Sequence, residues 1–468
     1  MAESKKREIF EGTIWRVTLR LAVPLMLGNF FYFFYSFVDT AFISLIDRQS
    51  TAIISGMGLV IPLFILAIAL SLGMNMGVSA LVARGVGEKN RKVADRAACS
   101  GFLIALGVSA VVLGVSYPLG PQILRLFAGA AISEEALQKG WEYMLFILPG
   151  FVLLMFQRVL TGIFQGEGLN KYIAYSLILS TGFNVVLDPV FIFLLGMGVG
   201  GAALATTVSV LIAVLFLLLQ FKRGRTRTKL SVNLLNADRG LLREIVRVGA
   251  PHSLGRIAEA VSYMLLNGLV SSIGEAAMNS WTLCIRTDQL VLVPVWAFSG
   301  ANLTMVGQNY GKGHLKRVHR IYKTNALVAA GVLVLFAGLY FGAAPIIFKA
   351  FSSLPRVVNG SVQQVRYLAF TFVGIAVTVA TVSTFQATGH PGKGLILTLL
   401  RLGLISVPLA FLLVPVTGWG MRAVFLAIGS TNLAVFFVSW FWGNRVLSRL
   451  EHRRISQARV RRRRKGAV

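Results

Sequence analysis

The chain has 468 residues, of which 56% are hydrophobic and only 14% charged, with a mean hydropathy of +0.72. A soluble domain carries about a quarter charged residues, so a water-soluble globular enzyme is excluded. The formal net charge of +28 raises nucleic-acid binding, which the placement of that charge must decide.

Apolar runs long enough to cross a hydrocarbon core of about 30 Å recur along the whole length. Twelve spans are predicted, near 14–45, 52–83, 97–124, 137–165, 171–195, 200–221, 242–273, 277–307, 318–348, 362–387, 394–416 and 419–444. Basic residues gather at Lys5–Arg16, Arg84–Arg96, Lys222–Lys229, Lys312–Lys323 and Arg445–Lys465, all on one side if the N-terminus is inside. The loops between them carry few. This is the positive-inside pattern of a multi-pass cell-membrane protein with both termini cytoplasmic. The charge is therefore topological, and no nucleic-acid partner is expected; the tail "RVRRRRK" adds attraction to anionic lipid headgroups. Cys99 and Cys284 are far apart and imply no disulfide framework, and no cleavable signal peptide is expected.

The sequence also repeats itself. "VTLRLAVP", closing on Pro24, is answered by "IVRVGAP", closing on Pro251, 227 residues later. Gly87 in "LVARGVGEKNRKV" is answered by Gly311 in "MVGQNYGKGHLKRV" at 224; Gln165 in "GIFQGEGLNK" by Gln386 in "STFQATGHPGK" at 221; Gly198 by Gly418 at 220. The smooth drift is that of a duplicated unit. Six spans per half is an even number, so the halves enter the membrane from the same side as parallel repeats. The fold class expected is an all-α polytopic membrane protein with twelve transmembrane helices in two pseudo-symmetric six-helix bundles. The domains expected are an N-terminal six-helix lobe over 1–223, a basic connector over 224–240, a C-terminal six-helix lobe over 241–447 and a basic tail over 448–468.

Carboxylates inside spans are costly and mark pathways or partners. The first half holds two, Asp39 in span 1 and Asp188 in span 5, each about seven residues, or roughly 10 Å, before the outer end of its span. Thr206 lies at a similar depth in span 6, and Asn184 stands one turn below Asp188 on the same face. Two nearby carboxylates share protons, and such oxygens also suit sodium. The competing reading is that Asp188-Pro189 only breaks span 5 and Asp39 only ends span 1. In the second half, His252, Arg256 and Glu259 share one face of span 7, with Arg256 the ready ion-pair partner of Glu259. Span 8 adds Arg286 and Asp288, span 10 has no acid, and Arg158 in span 4 lies close enough to the cytoplasmic end to snorkel.

No phosphate-cradling loop, Cys/His metal cluster or nucleophile elbow is present, so neither an enzyme nor an ATPase is expected, and no cofactor or metal. Energy should come from an ion gradient.

The strings "AVPLMLGNFFYFFYSFVDTAFIS", "FNVVLDPVFIFLLGMGVGGAALATTVS" and "MVGQNYGKGHLKRV" resemble the multidrug and toxic compound extrusion (MATE) family from span 1 through span 12. The resemblance implies two six-helix bundles flanking a cavity open alternately to each side. It implies export of organic, often cationic, compounds against protons or sodium. Asp39, Asn184, Asp188 and Thr206 match the first-lobe ion site of the branch similar to DNA-damage-inducible protein F, and Pro24 matches the bend in its first helix. Glu259 matches a second-lobe carboxylate of the other bacterial branch, but span 10 lacks that branch's second acid. Tyr35, one turn before Asp39, is the expected substrate contact. The alternative function is a flippase for a lipid-linked precursor, which should line its cavity with Arg and Lys. A monomer in the bilayer, acting on a small-molecule substrate, is expected.

Overall fold

The computed structural model describes residues 8–44, 52–128, 132–229 and 238–465, with the side chains of 34–41, 43–44, 52–54 and 453–465 outside that description. These residues form long helices, as they must where no water is available to pair with backbone amides and carbonyls. In the first half they are α1 (Ile14–Ser44), α2 (Ala52–Gly87), α3 (Arg91–Phe127), α4 (Glu134–Glu167), α5 (Asn170–Pro189, extended by a π turn, Val190–Leu194) and α6 (Gly198–Lys222). In the second half they are α7 (Arg239–Ile273), α8 (Glu275–Val291 and Val293–Lys312), α9 (Leu315–Phe351) and α10 (Pro355–Leu368, a 3₁₀ turn Ala369–Thr371, then Phe372–Ala387). The half closes with α11 (Pro391–Leu399, a π turn Leu400–Leu404, then Ser406–Thr417) and α12 (Met421–Lys465).

Twelve helical segments therefore stand where twelve spans are predicted. Nine are long and apolar enough to cross a membrane among the described residues, and α8 makes a tenth if its two parts, bent by 40°, are counted together. The span predicted near 277–307 is broken at Leu292, with Pro294 at the start of its second part. α7 carries Arg243, Glu244, Arg247, Arg256 and Glu259 along its length.

Turns are short and chemically specified. Asn90 and Ser133 cap α3 and α4 by accepting from the amides of Val93 and Ala136. Gly168 and Gly313 end α4 and α8 with φ of +78° and +85°, a conformation closed to most side chains.

By contact the chain divides into two compact units. One comprises Met1–Ala22, Ala83–Lys89 and Ala258–Val468; the other comprises Val23–Val82 and Asn90–Ile257. The connector over 224–240 separates the halves in sequence, whereas the division by contact passes within α1, α2 and α7. Along α1 it falls just before Val23, the neighbour of Pro24.

In the first of these units the core holds Trp281, Tyr322, Phe348, Phe385 and Phe425, all fully buried. A polar chain runs through it. Asn302 Nδ2 donates to Ala380 O (3.0 Å), Ser383 Oγ (2.9 Å) and Thr384 Oγ1 (2.8 Å); Asn325 Nδ2 donates to Asn302 Oδ1 (3.0 Å); and Thr18 Oγ1 donates to Asn325 Oδ1 (2.5 Å). α1, α8, α9 and α10 are tied together by these bonds. Both Gly87 and Gly311, matched in the repeat, serve one crossing: a Cβ at Gly87 would collide with Gln308 O, and one at Gly311 with Arg84 O. Beside it Arg84 donates to the last carbonyls of α10, Nε to Ala387 O (2.7 Å) and Nη2 to Gln386 O (2.8 Å).

In the other unit α4 packs against α6 through Thr207 Oγ1, which donates to Phe146 O at 2.7 Å, with Gly150 directly over the same hydroxyl. Asn75 of α2 donates to Thr161 Oγ1 (2.9 Å) and to Arg158 O (3.1 Å) of α4.

Candidate functional site

Asp188 is completely buried near the end of α5, and Asn184, 6% exposed, donates Nδ2 to Asp188 Oδ1 at 3.1 Å. The one-turn spacing places the pair on one face, as expected from the sequence. Just beyond the pair the helix changes. Pro189 has no amide to donate, and the chain widens into the π turn Val190–Leu194, closed by Leu195 N–H to Val190 O (2.9 Å) and Met197 N–H to Phe191 O (3.1 Å). Both readings of Asp188-Pro189 therefore meet at one place: the dipeptide interrupts the α pattern and also fixes a buried carboxylate beside the interruption. α6 is held against that turn because a Cβ at Gly201 would lie 2.7 Å from the Phe191 backbone.

Thr206 lies half-buried on α6 and makes no hydrogen bond among the described residues. The structure thus joins Asn184 to Asp188 and leaves Thr206 on the neighbouring helix without a bond to either. Asp39 and Tyr35 lie on the α1 backbone, but their side chains are outside the described residues. Pro24 is inside α1 and half-buried. Arg158 is half-buried on α4, with its Nε enclosed and without a hydrogen-bond partner among the described residues.

In the second half the sequence offers Arg256 as the partner of Glu259. The structure supplies another. Arg401 Nη2 donates to Glu259 Oε1 at 2.6 Å, the side chains being 8% and 13% exposed. Arg401 belongs to the π turn of α11, and its carbonyl accepts from Ser406 Oγ at 2.9 Å. A lone arginine in the aliphatic run "LILTLLRLGLISV" was the available signal. A short, enclosed, charge-assisted bond of this kind holds the Glu259 carboxylate in place. Arg256 and His252 are half-buried on α7 and both have interaction partners.

The site in the first half is thus an enclosed carboxyl–amide pair at a helix irregularity. Among the described residues, no group of three or more His, Cys, Asp or Glu is placed to hold a metal ion.

The MatE family pattern matches residues 24–190 and 251–412, one stretch in each half. A probable multidrug resistance protein NorM of Thermotoga maritima is 24% identical over 453 residues, covering 94% of this chain and 96% of that protein. A FAD transporter of Shewanella oneidensis is 23% identical over 444 residues, with the same two coverages of 94% and 96%. Among solved structures, the outward-facing conformation of a multidrug resistance MATE family transporter of the MOP superfamily superposes with a TM-score of 0.89. It is 27% identical and covers 95% of this chain and 98% of the other.

Proposed function

This chain belongs to the MatE family of membrane transporters, and we propose that it is a secondary antiporter exporting small organic compounds, cationic ones among them, in exchange for protons. It is a multi-pass membrane protein that handles small molecules, and it is not an enzyme. The observation that carries the antiport reading is the fully buried Asp188 with Asn184 donating to it. Ionising an enclosed carboxylate is costly, so its charge follows solvent access, which is the property a coupling group needs. A proton neutralises an enclosed carboxylate without asking for further oxygen ligands, and a proton is therefore the cycling ion assigned here.

Asp39 is assigned as the second coupling carboxylate on α1, with Thr206 as a neutral neighbour and Tyr35 as a substrate contact. Pro24 lets α1 bend, moving Asp39 relative to α5 and linking protonation to access from one side and then the other. Both termini are assigned to the cytoplasm, with the basic tail against anionic headgroups, and the unit of action is a monomer. Relatives named for multidrug resistance and for FAD transport support a substrate class of organic molecules of moderate size. The flippase alternative asks for a basic cavity, and Arg401, neutralised by Glu259, does not serve it.

The test is accumulation of a fluorescent cationic dye in cells expressing the protein, with and without a protonophore. Expressing cells should hold several-fold less dye than empty-vector cells, and the protonophore should erase the difference. Equal accumulation in all conditions would overturn the proposal.

A further inference from the structure

Asp288 stands on α8 one turn before the bend at Leu292, whose amide donates to the Asp288 carbonyl at 2.9 Å. Three helices meet at its carboxyl group. From α10, Gln364, 1% exposed, donates Nε2 to Asp288 Oδ2 at 3.3 Å. From α9, the hydroxyl of buried Tyr340 faces the same carboxylate while bonding Thr287 Oγ1 at 2.6 Å. On α8 itself, Cys284 is one turn back and directs its Sγ to Ser361 O at 3.6 Å. Tyr340 and Cys284 are the titratable groups facing Asp288. No Lys, Arg or His pairs with it among the described residues, and Arg286 and Arg366, the nearest cations in sequence, are exposed.

This differs in kind from the Glu259–Arg401 pair, which is satisfied only when Glu259 is ionised. An ionised Asp288 has a donor in Gln364 but no countercharge, a costly state inside a membrane helix. A protonated Asp288 needs an acceptor, and one is present: Gln364 Oε1 is buried and has no partner among the described residues. By turning its amide, Gln364 offers N–H to the carboxylate or oxygen to the acid. The cluster therefore accommodates both protonation states, and it does so at the point where α8 changes direction.

We propose that Asp288, with Gln364 and Tyr340, forms a second proton-carrying site in the second half of the chain, separate from Asp188 and from the Glu259–Arg401 pair. Its part in transport rests on the proton-coupled reading above; its ability to bind a proton does not. The protein reconstituted in lipid without any substrate is titrated with pH while the C=O band of protonated carboxyls is followed by infrared spectroscopy. Asp288→Asn should remove one component of that band, and Glu259→Gln should remove none. An Asp288→Asn spectrum identical to wild type, or loss of the component in Glu259→Gln, overturns the proposal. If Asp288→Asn does not fold, Asp288→Glu carries the same test: the component must shift in frequency, and an unshifted band refutes the assignment. Because no compound is exported in this measurement, a failure of the export reading leaves its result intact.

Discussion

Arg401 and Glu259 are 142 residues apart in the chain and 2.6 Å apart in the structure. The guanidinium leaves the π turn of α11 to meet a carboxylate on α7, and both side chains are largely enclosed. Removing one member strands the other as a buried, uncompensated charge. Arg401→Met is therefore expected to cost about 3–5 kcal/mol of stability, and the double variant Arg401→Met/Glu259→Met to recover most of it. Thermal unfolding of the purified protein in detergent reads both. Losses that simply add would show that the two charges do not stabilise one another.

This pair also marks where the sequence stops being legible. Spans, topology and the duplication are local or periodic signals, and they lead to twelve helices in two related halves. Asn184 and Asp188 are legible because their one-turn spacing puts them on one face whatever surrounds the helix. Arg401 is not legible as a partner of Glu259, since it comes from another helix and which helices pack together is written in neither span. The surroundings of Asp288 are hidden for the same reason: Tyr340 and Gln364 come from two other helices, and an acid on span 8 alone looks like any other. The bend at Leu292 leaves Pro294 as its trace, whereas the π turn of α11 leaves little in an aliphatic run.

The repeat of Gly87 and Gly311 has a steric cause that substitution can expose. A Cβ at either position meets a backbone oxygen well inside contact distance, and backbone cannot swing aside as a long side chain can. Gly87→Ala and Gly311→Ala should each lose about 1–3 kcal/mol. Gly107→Ala, with nothing within 4 Å, should be neutral or slightly stabilising because alanine is the better helix former. Equal effects at the three positions would remove close approach as the reason for the repeat.

Topology can be read with single cysteines. Ser133 caps the start of α4, and Thr226 lies just beyond α6, where its hydroxyl bonds Thr228 O. The native Cys99 and Cys284 are buried and should stay silent. Cysteines at 133 and 226 should react with an impermeant reagent from opposite faces of the membrane, 133 from outside. Reaction of both from one face would break the predicted topology.

Pro24 follows Val23, the residue at which α1 passes from one compact unit into the other. Its missing amide leaves the carbonyl four residues earlier without a helical partner and lowers the cost of bending there. Pro24→Ala should fold normally, gain slightly in thermal stability and lose at least half of its export rate. A stable variant with full export would remove bending at this position from the mechanism.

The coupling proton is assigned to the first half, on the enclosed carboxyl group of Asp188, with Asn184 as its partner and Asp39 as the second acid. Export driven by an imposed pH gradient in proteoliposomes decides the matter, comparing Asp188→Asn with Glu259→Gln at matched protein content. Asp188→Asn should abolish gradient-driven export while leaving the protein folded in the bilayer, and Glu259→Gln should retain much of it. Export persisting in Asp188→Asn and lost in Glu259→Gln would place coupling in the second half and refute the assignment.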